Sequence, residues 1–338
     1  MKMNKILVIR LSSLGDIVLT EPTCRKLKDV FPDSEITYIT KPLYKKTVEN
    51  FSGTDRVILW ENKAKLLASL KKENFDLVID LHDKFSSYLI KLFSGSKKVT
   101  YDKKHFLRKM MTKHMTNKEI YSVVDLYASI FDKLKINYSR KYPKLIPDSE
   151  SKQKINEIFL NFGINRKETL IGIFPGASFN TKRYPISYLI KFISLVPESW
   201  NCRFILMGSR DDKAAAVEIH NSVNKKTVDF TGLFKIHELI GVMNELDGFI
   251  TNDSGPMHIA AALNKPQIAI FGSTHTKLGF RPLNDNAIIV ETDTDCRPCH
   301  LHGREACPKG HFRCMTEIKP GRLFNEFKKF YEKNILGV

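Results

Sequence analysis

The chain has no apolar run approaching the length of a membrane span. Nothing at its start resembles a secretory signal, because Met1-Lys2-Met3-Asn4-Lys5 leads into only Ile6-Leu7-Val8-Ile9 before Arg10 interrupts. A cytosolic or peripheral location is therefore expected. There is no GxGxxG, which argues against a nucleotide-sugar epimerase or dehydrogenase, and no GxxxxGK[ST]. No internal repeat is visible. Acidic residues are scarce: 37 Asp and Glu face 54 Lys and Arg, for a formal net charge of +17. Such a field concentrates polyanions near the surface, and nucleic acid, anionic lipid and phosphorylated glycans all qualify. The plainer alternative, a lysine-rich chain with solvated faces, suits most of these lysines. No nucleic-acid motif or aromatic-basic platform accompanies the charge, so a basic nucleic-acid-binding α/β protein is the lesser reading.

What is present suits a globular enzyme. The 338 residues are 42% hydrophobic and 27% charged, enough for about two domains of roughly 150 residues. Short apolar runs alternate with helix-length amphipathic segments. Ile6–Ile9, Ile36–Ile39, Val57–Leu59 and Leu77–Ile79 read as buried strands, with helices over Ile17–Val30 and Lys63–Lys71. The basic stretch Lys97–Lys118 breaks the rhythm, and a helix over Tyr121–Leu134 follows. Tyr142-Pro143 and Ile146-Pro147-Asp148 read as a linker. The pattern then restarts with strands at Leu170–Phe174, Arg203–Met207, Phe249–Thr251 and Gln267–Phe271. Helices are expected at Ile186–Val196, Lys213–Val223, Ile236–Asn244 and Met257–Leu263, and over Arg322–Leu336 with Leu323, Phe327 and Phe330 on one stripe. Such alternation predicts parallel sheets covered on both faces, with ligands bound past the carboxyl ends of the strands.

Four motifs stand at such ends. Arg10-Leu11-Ser12-Ser13-Leu14-Gly15-Asp16 follows the first strand; Ser12, Ser13 and Gly15 can bring amides and hydroxyls to a ligand, although Asp16 alone could be a favourable first-turn acid. Pro175-Gly176-Ala177-Ser178 leads to Thr181-Lys182-Arg183-Tyr184-Pro185, a glycine loop with two adjacent cations suited to phosphate. In Gly208-Ser209-Arg210-Asp211-Asp212 a carboxylate could accept from ribose hydroxyls or cap a helix, with equal weight. Asn252-Asp253-Ser254-Gly255-Pro256-Met257-His258 delivers free amides at a helix start, an anion site in the making, with His258 on the face of Ser254.

Taken in order, Arg10–Pro22, Pro175–Pro185 and Asp253–Ala262 resemble the RxSSxGDxxxTxP, PGA…KRWP and D[ST]GxxHxAAA motifs of glycosyltransferase family 9, the heptosyltransferases, with Tyr184 in place of the commoner Trp. The resemblance implies a GT-B fold: two doubly wound Rossmann-like domains facing a central cleft, with residues 1–147 binding acceptor, 148–320 binding the nucleotide-sugar donor, and a helix over 321–338 packing back toward the first domain. It implies inverting transfer of a heptose from an ADP-sugar to lipopolysaccharide inner core, at the inner face of the cytoplasmic membrane and with no cofactor in the chemistry. By the same resemblance Asp16 is the base and Asp212 meets ribose. The segment near Leu233 meets adenine. Lys182, Ser178 and the amides of Ser254 and Gly255 hold the diphosphate, with Gly176, Arg183, Ser209, Asp253 and His258 in the donor cradle. Basic residues of Lys97–Lys118 would hold an anionic phosphorylated glycolipid. Relatives using another nucleotide sugar or a protein acceptor form the alternative.

Asp293-Thr294-Asp295 matches a manganese-binding DxD pattern of another glycosyltransferase fold, and is expected here to be a polar loop. Cys296, Cys299, Cys307 and Cys314 lie close together with His300, His302 and His311 interleaved. Their spacing suits a closed structural zinc or iron site outside the chemistry, with free thiols as the alternative. Cys24 and Cys202 are expected to be buried thiols.

Overall fold

The computed structural model describes residues 3–95, 97–147 and 151–337. All eight apolar runs become strands, and three further strands join them. The first sheet holds β1 (Lys5–Ile9), β2 (Glu35–Thr40), β3 (Arg56–Leu59), β4 (Leu77–Asp80) and β5 (Lys97–Thr100) in the order β3-β2-β1-β4-β5, all parallel. The second holds β6 (Thr169–Phe174), β7 (Cys202–Leu206), β8 (Thr227–Asp229), β9 (Gly248–Asn252), β10 (Gln267–Phe271) and β11 (Ala287–Glu291) in the order β11-β10-β9-β6-β7-β8, again parallel. Counted from its own first strand, the first sheet has the order 3-2-1-4-5 and the second, read from its β8 edge, 3-2-1-4-5-6, the full six-stranded Rossmann order. The winding therefore reverses between β1 and β4 in one sheet and between β6 and β9 in the other, and crevices for ligands form at such reversals.

The strands that escaped notice are edge strands. Lys97-Lys98-Val99-Thr100 buries only Val99, since an edge strand meets solvent and is kept charged against further pairing. The helix expected over Ile17–Val30 is two helices, Leu14–Val18 and Glu21–Val30. Pro22 lacks the N–H an interior turn needs and is accepted only in the first turn of the second helix.

The chain divides into two compact units. The first takes the sequence up to His105 and then Ser122–Ile146; the second takes Phe106–Tyr121 and the sequence from Pro147 onward. The division falls between Ile146 and Pro147; Asp148 of the linker reading lies outside the described residues. The basic stretch is shared: its start forms β5, while the part from Phe106 belongs to the second unit. There the Ile120 amide donates to the Lys277 carbonyl at 2.8 Å, and Arg108 stacks over Phe280. The C-terminal helix belongs to the second unit. Pro320–Tyr331 inserts Leu323, Phe327 and Phe330, all fully buried, among Phe192, Phe204 and Ile173 of that unit. The first unit has its own core of Leu7, Ile39, Leu70, Phe75, Val78 and Ile90.

Candidate active site

At the first switch point, β1 ends at Ile9 and β4 at Asp80, and Arg10 joins the two. Its guanidinium is buried and donates to the Ser12 carbonyl at 2.7 Å and the Leu81 carbonyl at 2.5 Å. A third arm pairs with Asp16 Oδ2 at 2.6 Å. Burial works against the Arg10 charge, but Asp16 together with Tyr127, Tyr101 and Tyr38 outweighs it, so its pKa lies above the ordinary value. Asp16 Oδ2 also accepts from Ser13 Oγ at 2.8 Å, and Oδ1 from the Tyr127 hydroxyl at 3.3 Å. Burial, foremost, keeps Tyr127 protonated far above its usual range, so it serves as a donor. The arrangement presents a carboxylate held by three side-chain donors, one-fifth exposed, at the start of the helix Leu14–Val18. His82, just past β4, is buried. Burial, then the cations Arg10 and Lys84, push its pKa down to about 4, which makes it a neutral imidazole at pH 7.

At the second switch point the backbone does more of the work. The buried Asn252 at the end of β9 donates to the carbonyls of Phe174, Pro175 and Gly176 and accepts from the Tyr184 amide. One carboxamide thus fixes the glycine loop after β6. Gly176 is required by closeness: a Cβ there would lie 2.0 Å from Asp212 Oδ1. Lys182 Nζ pairs with Asp253 Oδ2 at 2.8 Å, and Thr274 Oγ1 donates to the same oxygen at 2.6 Å. Ser254 precedes the helix Gly255–Ala262, but its hydroxyl donates to the Asn252 carbonyl, so it leaves the first-turn amides uncapped by that side chain. Those amides and the lysine are the features an anion would meet.

Several expected residues take other partners. Asp212 Oδ2 accepts from the Ser209 amide and hydroxyl at 2.8 and 2.9 Å. This is the capping arrangement weighed against ribose binding, and it leaves Asp212 Oδ1 against Gly176. Arg183 donates to the Ala177 carbonyl, bracing the loop from behind. Ser178 is exposed, His258 is buried within its helix, and Leu233 is half exposed. The neighbouring Gly232 amide ties Leu233's loop to Gly208, beside Ser209. Sequence reasoning passed over His82 and Thr274 and gave Asn252 no role of its own, although all three stand at or just past a strand end. Tyr127 had no such signal; on a helix it reads as a core aromatic.

The four C-terminal cysteines line one cavity of about 10 Å³ with His311, Thr181 and Ser273, the lower limit for one water-sized sphere. Cys296 Sγ lies 3.9 Å from His311 Nε2. Burial pushes the Cys314 thiol up to about 12 and raises Cys299. At Cys307 burial opposes the thiolate, but nearby backbone amides outweigh it and lower the pKa. A soft four-sulfur set fits zinc or iron in kind, yet among the described residues no group of three or more His, Cys, Asp or Glu is arranged to hold a metal. Cys24 is buried as expected, whereas Cys202 is only half-buried, on a strand near the sheet edge.

The architecture is that of a GT-B glycosyltransferase. It superposes on a family 9 glycosyltransferase from Veillonella parvula with a TM-score of 0.81, at 21% identity, covering 98% of both chains. On the ADP-heptose lipopolysaccharide heptosyltransferase II of Escherichia coli the TM-score is 0.77, at 22% identity over 96% of this chain and 98% of that one. The chain belongs to glycosyltransferase family 9 (heptosyltransferase), whose family model matches residues 63–308. The lipooligosaccharide heptosyltransferase 2 of Campylobacter jejuni is 27% identical over 96% of this chain and 97% of its own length. The Arg10–Pro22 motif lies outside the family-model match.

Proposed function

We propose that this glycosyltransferase is an inverting heptosyltransferase that moves a heptose from an ADP-activated donor to a sugar of the lipopolysaccharide inner core. The observation that carries the reading is the pairing of chemistry with topology: a carboxylate stands at the β1/β4 reversal, and a lysine with helix-start amides stands at the β6/β9 reversal. Asp16 takes the proton of the acceptor hydroxyl as its oxygen attacks the anomeric carbon. The bond to the donor phosphate breaks, ADP departs with the electron pair, and the centre inverts. Charge grows on the β-phosphate, where Lys182 and the amides of Ser254 and Gly255 are placed to stabilise it. Gly176 and Ser178 complete the phosphate loop, and the Ser209–Asp212 and Leu233 loops take the nucleoside. The names of the Escherichia coli and Campylobacter jejuni relatives support this choice of donor and acceptor.

The transfer is proposed to occur at the cytoplasmic face of the inner membrane, with basic residues of Lys97–Lys118 against phosphorylated glycolipid. Among the described residues no helix is long and apolar enough to cross a membrane, which is consistent with peripheral binding. The cysteine set is proposed as a structural thiolate site for zinc or iron without a part in transfer. Elemental analysis finding no metal, with four alkylatable thiols, would replace that reading by free thiols. The decisive experiment for the function is a donor screen by mass spectrometry, offering ADP- and UDP-sugars with heptose-deficient glycolipid. Heptose transfer from the ADP-sugar is the expected product; transfer from a UDP-sugar alone, or to protein alone, would overturn the assignment.

A further inference from the structure

The cysteine-bearing loop and the phosphate lysine are parts of one hydrogen-bonded assembly. Lys182 closes a single tight turn, Asn180–Lys182, too short to fix a long side chain by itself. Its neighbour Thr181 is 2% exposed and is bound on both its backbone and its side chain. The Thr181 amide donates to the Arg304 carbonyl at 3.0 Å, its hydroxyl donates to the same carbonyl at 2.9 Å, and that hydroxyl accepts from the Arg304 amide at 2.8 Å. Ser273 Oγ donates to Thr181 Oγ1 at 2.9 Å, and the Ser273 carbonyl accepts from the Cys299 amide at 3.1 Å. Gly303 supplies the other contact. Its φ is +97°, and a Cβ there would lie 2.9 Å from both Cγ and Cδ of Lys182, so the lysine stem rests on bare backbone. Residues 299–304 thus hold Thr181 on one side and the Lys182 stem on the other.

We infer that the loop between Cys299 and Cys307 positions Lys182, with Thr181 as the latch and Gly303 as the surface that aims the ammonium. The inference rests on the reading that Lys182 meets the donor diphosphate. A four-carbon stem on a single turn samples many rotamers, and holding it in advance lowers the entropy lost when an anion binds. The same linkage must run in reverse: whatever the loop does for diphosphate affinity, diphosphate does for the loop. Thr181 and Ser273 also line the thiol cavity, so a disturbance at the cysteines reaches Lys182 through two hydrogen bonds.

The test compares ADP with adenosine by calorimetry in the full-length protein. Thr181→Val keeps the shape, leaves the Arg304 amide without its hydroxyl partner, and should weaken ADP about tenfold while adenosine changes little. Thr181→Ser should restore ADP binding. Lys182→Ala is measured alongside. If Lys182→Ala weakens ADP but Thr181→Val does not, or weakens both ligands equally, the latch is refuted and the phosphate role survives. If Lys182→Ala leaves ADP untouched, the phosphate reading itself fails. Hydrogen exchange on the unmodified protein gives an independent check. ADP should protect the Cys299 and Arg304 amides and adenosine should not; equal protection by both ligands overturns the inference.

Discussion

The two switch points share a strand order and differ in what they place there. At β1/β4, three side chains converge on one carboxylate: Arg10 from the strand end and Ser13 from the turn, both close in sequence, and Tyr127 from a helix 111 residues away. At β6/β9, one asparagine fixes a glycine loop, and what stands past the strand ends is a helix start and one lysine paired with Asp253. Doubly wound topology supplies a crevice in both cases. The first helical turn then decides the chemistry. A carboxylate held by donors is suited to accept a proton, whereas free amides and an ammonium are suited to receive an anion.

The contrast is broken most sharply at Asp16. Asp16→Asn keeps the size and removes the basicity, and should cut turnover about 10²–10⁴-fold with ADP affinity intact. Near-normal turnover in a glycolipid assay would remove the base from the first switch point and with it the division of labour. On the scaffold side, Phe330→Ala should cost the second unit about 3–5 kcal/mol, because Phe330 is fully buried among Phe327 and its neighbours. A chemical denaturation midpoint within error of the parent would contradict the placement of the C-terminal helix.

The next prediction concerns acid. His82 is neutral in the fold, with its pKa depressed from 6.5 to about 4. The unfolded chain therefore binds a proton that the native state refuses. The associated stability is complete above pH 6.5 and is lost as pH falls toward 4, by about 3 kcal/mol. His82→Gln should remove that slope from a stability–pH profile; parallel profiles for the two proteins would show that His82 is not held neutral. A smaller effect is expected for Lys182→Ala, which should weaken ADP about 10- to 100-fold relative to adenosine, as for loss of one charge-assisted hydrogen bond. Equal weakening of the two ligands would make Lys182 a support for its loop.

Much of this was legible before folding because it is local. Val8 and Ile9 announce a buried strand, and Ser12 through Asp16 announce a loop entering a helix. The same sequence of signals recurs from Ile171 to Ser178 and from Ile250 to Gly255. Where legibility failed, the cause was physical. β5 is basic because it lies at an edge. Pro22 splits a helix that periodicity alone would join. Asp212 suits either a cap or a ribose by composition, and only the fold shows its Oδ2 held by Ser209.

The sequence by itself determined the two α/β units, the strands at the centre of each sheet and the loops that carry the motifs, since these follow from the period of apolar residues and from short-range turn and cap chemistry. The tertiary structure alone decided which distant residues meet. It gave Phe106–Tyr121 to the second unit, brought Tyr127 to Asp16, and set Arg304 on Thr181. Those contacts depend on strand order and helix packing. Neighbouring residues in the chain carry no local record of them.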